Sequence, residues 1–206
     1  MSASNVDLNS FQPERIAFEL PAWIDDYCRA YSRSEVPEAR MAYVIGAAAK
    51  NVEQGTGGPF AAGIFEIDTG ALVSLGVNLV VPQGLSILHA EMVAIALAQR
   101  KLGVHELSAE GLPGYELVTS TEPCAMCFGA IPWSGVQRLV TGAISQDATD
   151  IGFDEGPKPD NWVEALEQRG IRVIREQQRV AARTILQAYA DRGGPIYSPS
   201  SIRQRP

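Results

Sequence analysis

The chain has 206 residues, 46% of them hydrophobic and 20% charged, and a net charge of −7. This is the balance of a globular domain whose core is large enough to fold without disulfides. It excludes a disordered or fibrous chain and argues against a nucleic-acid partner, because neutralising phosphates takes a basic surface. Met1 to Phe18 is polar and lacks the apolar run of a signal peptide, and no stretch approaches membrane-spanning length. Three cysteines, two of them at metal spacing, fit a reducing, cytoplasmic setting.

Residues 1–35 read as a peripheral N-terminal extension with one short helical signal, Ile24 to Tyr31. Residues 36–192 read as the domain proper. Met41, Val44, Ile45, Ala48 and Ala49 recur at helical spacing and predict an amphipathic helix that ends in the turn Gly55 to Pro59. Phe60 to Ile67 and Ala71 to Asn78 predict a hairpin around Asp68-Thr69-Gly70. Val80 to Ser86, with Pro82 and Gly84, reads as a loop, and a helix is expected from about His89 to Lys101. Leu117 to Thr119 predicts a strand, followed by a brief helix to about Ile131 and a strand from Leu139 to Ala143.

Gln146 to Asp160 reads as a polar loop, after which Asn161 is placed to cap a helix carrying Trp162, Val163 and Leu166. Ile171 to Ile174 predicts a fifth strand. Val180, Thr184, Ile185, Ala188 and Tyr189 are expected to form the inner stripe of a last helix. Residues 193–206 read as a tail. The order α-β-β-α-β-α-β-α-β-α predicts an α/β fold, a three-layer α-β-α sandwich around a five-stranded mixed sheet.

His89-Ala90-Glu91 and Pro123-Cys124-Ala125-Met126-Cys127 carry the chemistry. One imidazole and two thiolates can hold a zinc ion and leave its fourth tetrahedral position open to water. Cys124 and Cys127 stand three apart and so share a helix face, and Pro123 suits the first turn of that helix. A helix start also favours thiolate over thiol. Glu91 is the carboxylate expected to take a proton from the activated water and to return protons to a ring nitrogen and a leaving amine.

Two other readings of these residues exist, a redox Cys-x-x-Cys pair and a structural zinc. A structural site is usually closed by four protein ligands, and the remaining candidates, Cys28 and His105, lack ligand spacing. Spacing leaves one point open. Residues two apart do not face each other on a regular helix, so spacing alone does not bring Glu91 to a metal held by His89.

The H-x-E and P-C-x-x-C pair is the pattern of zinc-dependent base deaminases. From about Pro37 to Ile174 the chain resembles the cytidine deaminase-like superfamily, and within it the bacterial guanine deaminases. The shared residues are Gly57-Gly58-Pro59-Phe60, Asn78, His89-Ala90-Glu91, Glu122 to Cys127, Ile131-Pro132-Trp133 and Gly152-Phe153-Asp154-Glu155. Ile151 to Pro157 with Asn161-Trp162 is similar to a subgroup that also accepts the aminotriazine ammeline.

The resemblance implies a five-stranded sheet between helices, Zn2+ held by His89, Cys124 and Cys127, and Glu91 as proton shuttle. It implies that Asn78 hydrogen-bonds a free nucleobase, that Phe60 packs against it, and that Glu155 contacts its polar edge. Ala90 and Trp133 join the implied substrate-binding set, Tyr197 in the tail closes the site, and the protein is a homodimer. The residues also admit blander roles: Gly57 to Phe60 as a turn into a core strand, Asn78 as a turn former, Trp133 and Trp162 as core or interface, Asp154 and Glu155 as a solvated acidic pair. The expected reaction is hydrolysis of guanine to xanthine and ammonia, with ammeline as a second substrate. Deamination of tRNA adenosine, deamination of cytosine or a nucleoside, and a non-catalytic zinc scaffold are the alternatives.

Overall fold

A computed structural model of the protein describes Pro13 and residues 15–197. The remainder of the predicted extension and residues 198–206 of the predicted tail lie outside the described residues.

Five strands form one mixed sheet in the order β2-β1-β3-β4-β5: β1 Ala61–Glu66, β2 Leu72–Val77, β3 Tyr115–Thr121, β4 Arg138–Ala143 and β5 Arg172–Ile174. β1 is antiparallel to β2 and β3, while β3, β4 and β5 run parallel. Strand side chains alternate between two apolar layers, as the two-residue period of a strand requires. Ala61, Phe65, Val118 and Val140 face one core cluster with Met41, Val44, Ala182 and Leu186. Ala62, Ile64, Leu117 and Leu139 face the other, with Ala90, Ala94, Ile131 and Leu166.

The helices supply those layers: α1 Ile24–Arg29, α2 Pro37–Glu53, α3 Val80–Gln83, α4 Ala90–Leu102, α5 Ala125–Ser134, α6 Ser145–Thr149, α7 Trp162–Glu167 and α8 Arg179–Asp191. α2 buries Met41, Val44, Ile45 and Ala48 as its periodicity predicts. α1 also joins the core. Ile24 is buried in the first cluster, Trp23 Nε1 donates to Thr56 Oγ1 at 3.0 Å, and the Tyr27 ring stacks on Tyr43 with centroids 4.7 Å apart.

Four local expectations are corrected. The predicted loop at Val80 contains a one-turn helix, because the Asn78 Oδ1 accepts the Val80 N–H and Gly84, at φ +64°, ends the turn. The predicted loop at Gln146 opens with α6, whose start is held by the Asp147 carboxylate accepting the Ile144 N–H at 3.0 Å. Asn161 occupies the N-cap position of α7 but makes no side-chain cap. The inner stripe of α8 is Ala182, Leu186 and Tyr189; Val180 is 83% exposed and Thr184 is exposed. Ala182 sets this phase, because it lies against Gly142 of β4, where an added Cβ would come within 3.1 Å of it.

Candidate active site

Two helix starts meet at one point. His89 is the N-cap of α4 and Cys124 the N-cap of α5, both in extended backbone, at φ −66°, ψ 155° and φ −66°, ψ 175°. Pro123 therefore precedes the helix rather than sitting in its first turn, and α5 runs on past the expected end, through Pro132, to Ser134. His89 Nδ1 lies 3.4 Å from Cys124 Sγ and 3.6 Å from Cys127 Sγ. The donor atoms of His89, Cys124 and Cys127 all fall within 4.8 Å of one another. A tetrahedral zinc with ordinary bond lengths sets its nitrogen and sulfur ligands about 3.6 Å apart, so the three residues fit the ion.

The N-cap position of His89 answers the question that spacing left open. His89 stands outside the helix in extended backbone, and Glu91 is the second helical residue, so the rule for two residues on one helix does not apply. Both side chains line the same cavity.

The local electrostatics follow from crowding of these groups. The Cys127 hydrogen bond draws the Cys124 thiol down to about 4, against the effect of burial and with help from His89. The same hydrogen bond, with burial, pushes Cys127 well up. Burial disfavours the His89 imidazolium, but the Cys124 sulfur and the Glu91 charge outweigh it and raise its pKa. Burial and the Cys124 charge raise Glu91 to about 7.

The cavity measures about 780 Å³. Phe60, His89, Glu91, Cys124, Glu155 and Tyr197, all singled out in the sequence, line it. Its aromatic wall is Phe60 edge-on to Phe153, with centroids 4.9 Å apart, and Phe153 edge-on to Tyr197 at 5.2 Å. Glu155 is distinctive. Its Oε2 is buried with no hydrogen-bond partner among the described residues, and burial raises its carboxyl to about 7 although Lys158 pulls it down.

The other predicted residues lie elsewhere. Cys127 is buried behind the wall, against His89. Asn78 is 1% exposed and does not line the cavity; its Oδ1 accepts the Val80 N–H and its carbonyl accepts from Asn51 Nδ2. Ala90 is fully buried at the start of α4. Trp133 is 84% exposed and stands outside the cavity. Gly57, in the motif before Phe60, is dictated by close approach: a Cβ there would sit 1.9 Å from the Asn78 carbonyl oxygen.

Two residues were given no role by the sequence reading. Thr121 lines the cavity, and its buried Oγ1 has no hydrogen-bond partner among the described residues. Glu122 is buried beside the Cys124 motif, accepting hydrogen bonds from the Ser145 N–H and hydroxyl and from Arg175. Its place directly before Pro123 was the available signal for Glu122, whereas the hydroxyl of Thr121 had none.

The family model for the cytidine and deoxycytidylate deaminase zinc-binding region matches residues 34–143, just over half of the chain. Guanine deaminase of Bacillus subtilis is 38% identical over 108 residues, which span 52% of this chain and 65% of that protein, just under two thirds of its length. Among solved structures, guanine deaminase from Nitrosomonas europaea is 47% identical with a TM-score of 0.84, covering 88% of this chain and 100% of that one. A mutant of the protein NE0047 in complex with 8-azaguanine is 48% identical with a TM-score of 0.83, covering 86% of this chain and 98% of that one. With the zinc-ligand triad assembled inside the matched fold, the chain belongs to the cytidine and deoxycytidylate deaminase family and carries its zinc-binding region.

Proposed function

We propose that this deaminase hydrolyses free guanine to xanthine and ammonia and takes ammeline as a second substrate. The observation that carries the reading is the extensive similarity to NE0047 bound to 8-azaguanine, joined to a cavity-lining Glu155 whose buried Oε2 has no hydrogen-bond partner among the described residues. Guanine is rich in N–H donors, and a buried acceptor discriminates strongly for a ligand that satisfies it. A free base also brings no phosphate, which suits a chain of net charge −7.

His89, Cys124 and Cys127 would hold the metal. When bound, zinc supplies the Lewis acidity that brings water towards neutral acidity. Glu91 accepts the first proton of the attacking water and gives it to a ring nitrogen, then takes the second from the hydroxyl added at the ring carbon and gives it to the departing amine. One C–O bond forms at the ring carbon, one C–N bond breaks, and ammonia leaves. Glu155 accepts an N–H of the base through Oε2. Asn78, whose Oδ1 is occupied, offers its amide N–H2 to the base oxygen, and Ala90 offers a backbone N–H from the open first turn of α4. Phe60 and Tyr197 sandwich the ring and exclude water. The enzyme works in the cytoplasm as a homodimer, and the exposed Trp133 is the kind of residue such an interface covers.

The test is ammonia release from zinc-loaded protein given guanine, ammeline, adenine, cytosine, guanosine and cytidine side by side. Guanine turnover is expected, with a loss of about a thousandfold in Glu91→Ala. Release from none of the six compounds by protein shown to hold zinc would sink the reading.

A further inference from the structure

We infer that Lys158 is a positioning residue for the reaction, tying the segment that carries Glu155 to the backbone that carries Cys124. The inference rests on the proposed role of Glu155 in holding the base. Lys158 follows Glu155 by three residues, and only 9% of its side chain is exposed. Its ammonium donates to the Pro123 carbonyl at 2.8 Å and to Ser145 Oγ at 2.6 Å. It also lies 4.0 Å from Glu122 Oε2 and 4.8 Å from the centre of the Trp162 ring. An ammonium has three donors, and fixed protein groups surround this one, so it does not line the cavity.

A second link runs parallel to it. The Ala125 N–H donates to the Glu155 carbonyl at 2.8 Å. Residues 155–158 are thus tied to the chain immediately before Cys124 and immediately after it. The gap between the two links is closed tightly: at Gly156, φ +68°, an added Cβ would come within 3.1 Å of Ala125 Cβ, and the Lys158 N–H donates to the Gly156 carbonyl at 2.8 Å. No described group hydrogen-bonds Glu155 Oε2, but the carboxyl meets the Ser145 side chain, whose Oγ accepts from Lys158 Nζ at 2.6 Å, so its aim depends on Lys158 through that hydroxyl as well as through the backbone beneath it. Lys158 is the side chain that holds this backbone. A misplacement of about 1 Å at such a contact is enough to cost most of its value.

The experiment is a double-mutant cycle on zinc-loaded full-length protein, with 8-azaguanine affinity read by calorimetry for wild type, Lys158→Met, Glu155→Gln and the double variant. Lys158→Met is expected to weaken binding about tenfold alone and less than about twofold in the Glu155→Gln background, because the lysine then has nothing left to aim. Zinc content is expected to stay at about one ion per chain throughout. Equal fold-losses in the two backgrounds would overturn the inference, since a general structural role adds. Loss of zinc from Lys158→Met would overturn it too. If the Met variant does not fold, Lys158→Gln carries the same cycle. A wild type that binds no 8-azaguanine would bring down the proposed function, and the inference with it, a result distinct from an additive cycle.

Discussion

The two helix starts that build the site present similar caps but are held in place by different forces. At α4 the support is shape. Gly76 of β2 lies so close to the helix that an added Cβ would sit 2.3 Å from the Ala90 carbonyl oxygen and 2.5 Å from the Ala94 nitrogen. Ala90, Val93, Ala94 and Ala98 are buried, and Ser74 Oγ donates to the Ala94 carbonyl at 2.7 Å. At α5 the support is charge. Glu122 accepts from Ser145 and Arg175, Lys158 holds the Pro123 carbonyl, and Lys158 and Arg175 both lie over the Trp162 ring. The half that presents His89 and Glu91 is thus fixed by close packing. The half that presents the two cysteines and Glu155 is fixed by ion pairs and hydrogen bonds around them.

If that contrast is correct, the packed half should fail first to added volume. Gly76→Ala puts a methyl group against two backbone atoms, neither of which can swing aside. It is expected to cost about 3 kcal/mol, the upper part of the range for overpacking, seen as a lower urea midpoint at unchanged slope. Ammonia release should fall with it, because the displaced backbone carries His89 and Glu91. A variant as stable as wild type would mean that α4 floats on β2 and that shape does not hold it.

The charged half should fail to a change that adds no volume. Glu122→Gln keeps the outline of the side chain and removes its charge, leaving the Lys158 and Arg175 cations without their shared anion. About 2 kcal/mol of destabilisation is expected from the lost charge-assisted hydrogen bonds. High salt should recover part of it, since Arg175 is solvent-exposed, whereas the Gly76→Ala defect should be indifferent to salt. Unfolding of both variants at low and high salt decides between the two kinds of support. Equal salt responses would break the contrast.

The same contrast explains what was legible in the sequence. The strands were legible as short apolar runs between turns, because a strand covered on both faces, such as Ala61 to Phe65, is buried along its whole length. The zinc ligands were legible because their residue types are rare in this chain and their order carries meaning. What failed was phase and polar support. In α8 the apolar Val180 looks inward on a helical wheel, yet the contact of Ala182 with Gly142 fixes the rotation, and two small residues leave no hydrophobic signal. The partners of Glu122 come from Ser145, Lys158 and Arg175, 23 to 53 residues away, and no local pattern announces them. Glu91 could be named but not placed, because its position depends on His89 standing in extended backbone one residue outside the helix.

The smallest expected effect lies at the outer edge of the charged half. Asp147 lies in α6, the helix that begins at Ser145, and its buried carboxylate accepts from Arg179 Nε at 2.8 Å and from the Ile144 N–H at 3.0 Å. The Arg179 hydrogen bonds hold its pKa below the ordinary carboxylate value; burial opposes them and the Ile144 N–H adds to them. A folded pKa below the unfolded one means that the unfolded chain takes up the proton first as the pH falls. The stabilisation is therefore complete above the unfolded value of about 3.9 and is lost as pH drops through the folded value. Asp147→Asn should lower the melting temperature by about 2 °C at pH 7, since Arg179 is partly solvated, and the gap should narrow as the pH falls below the unfolded value of about 3.9. Melting curves of both proteins from pH 7 down into the acid range test this. A gap that does not narrow in acid would mean that Asp147 acts through its shape, and the boundary between the packed and the charged halves would have to be drawn inside α6.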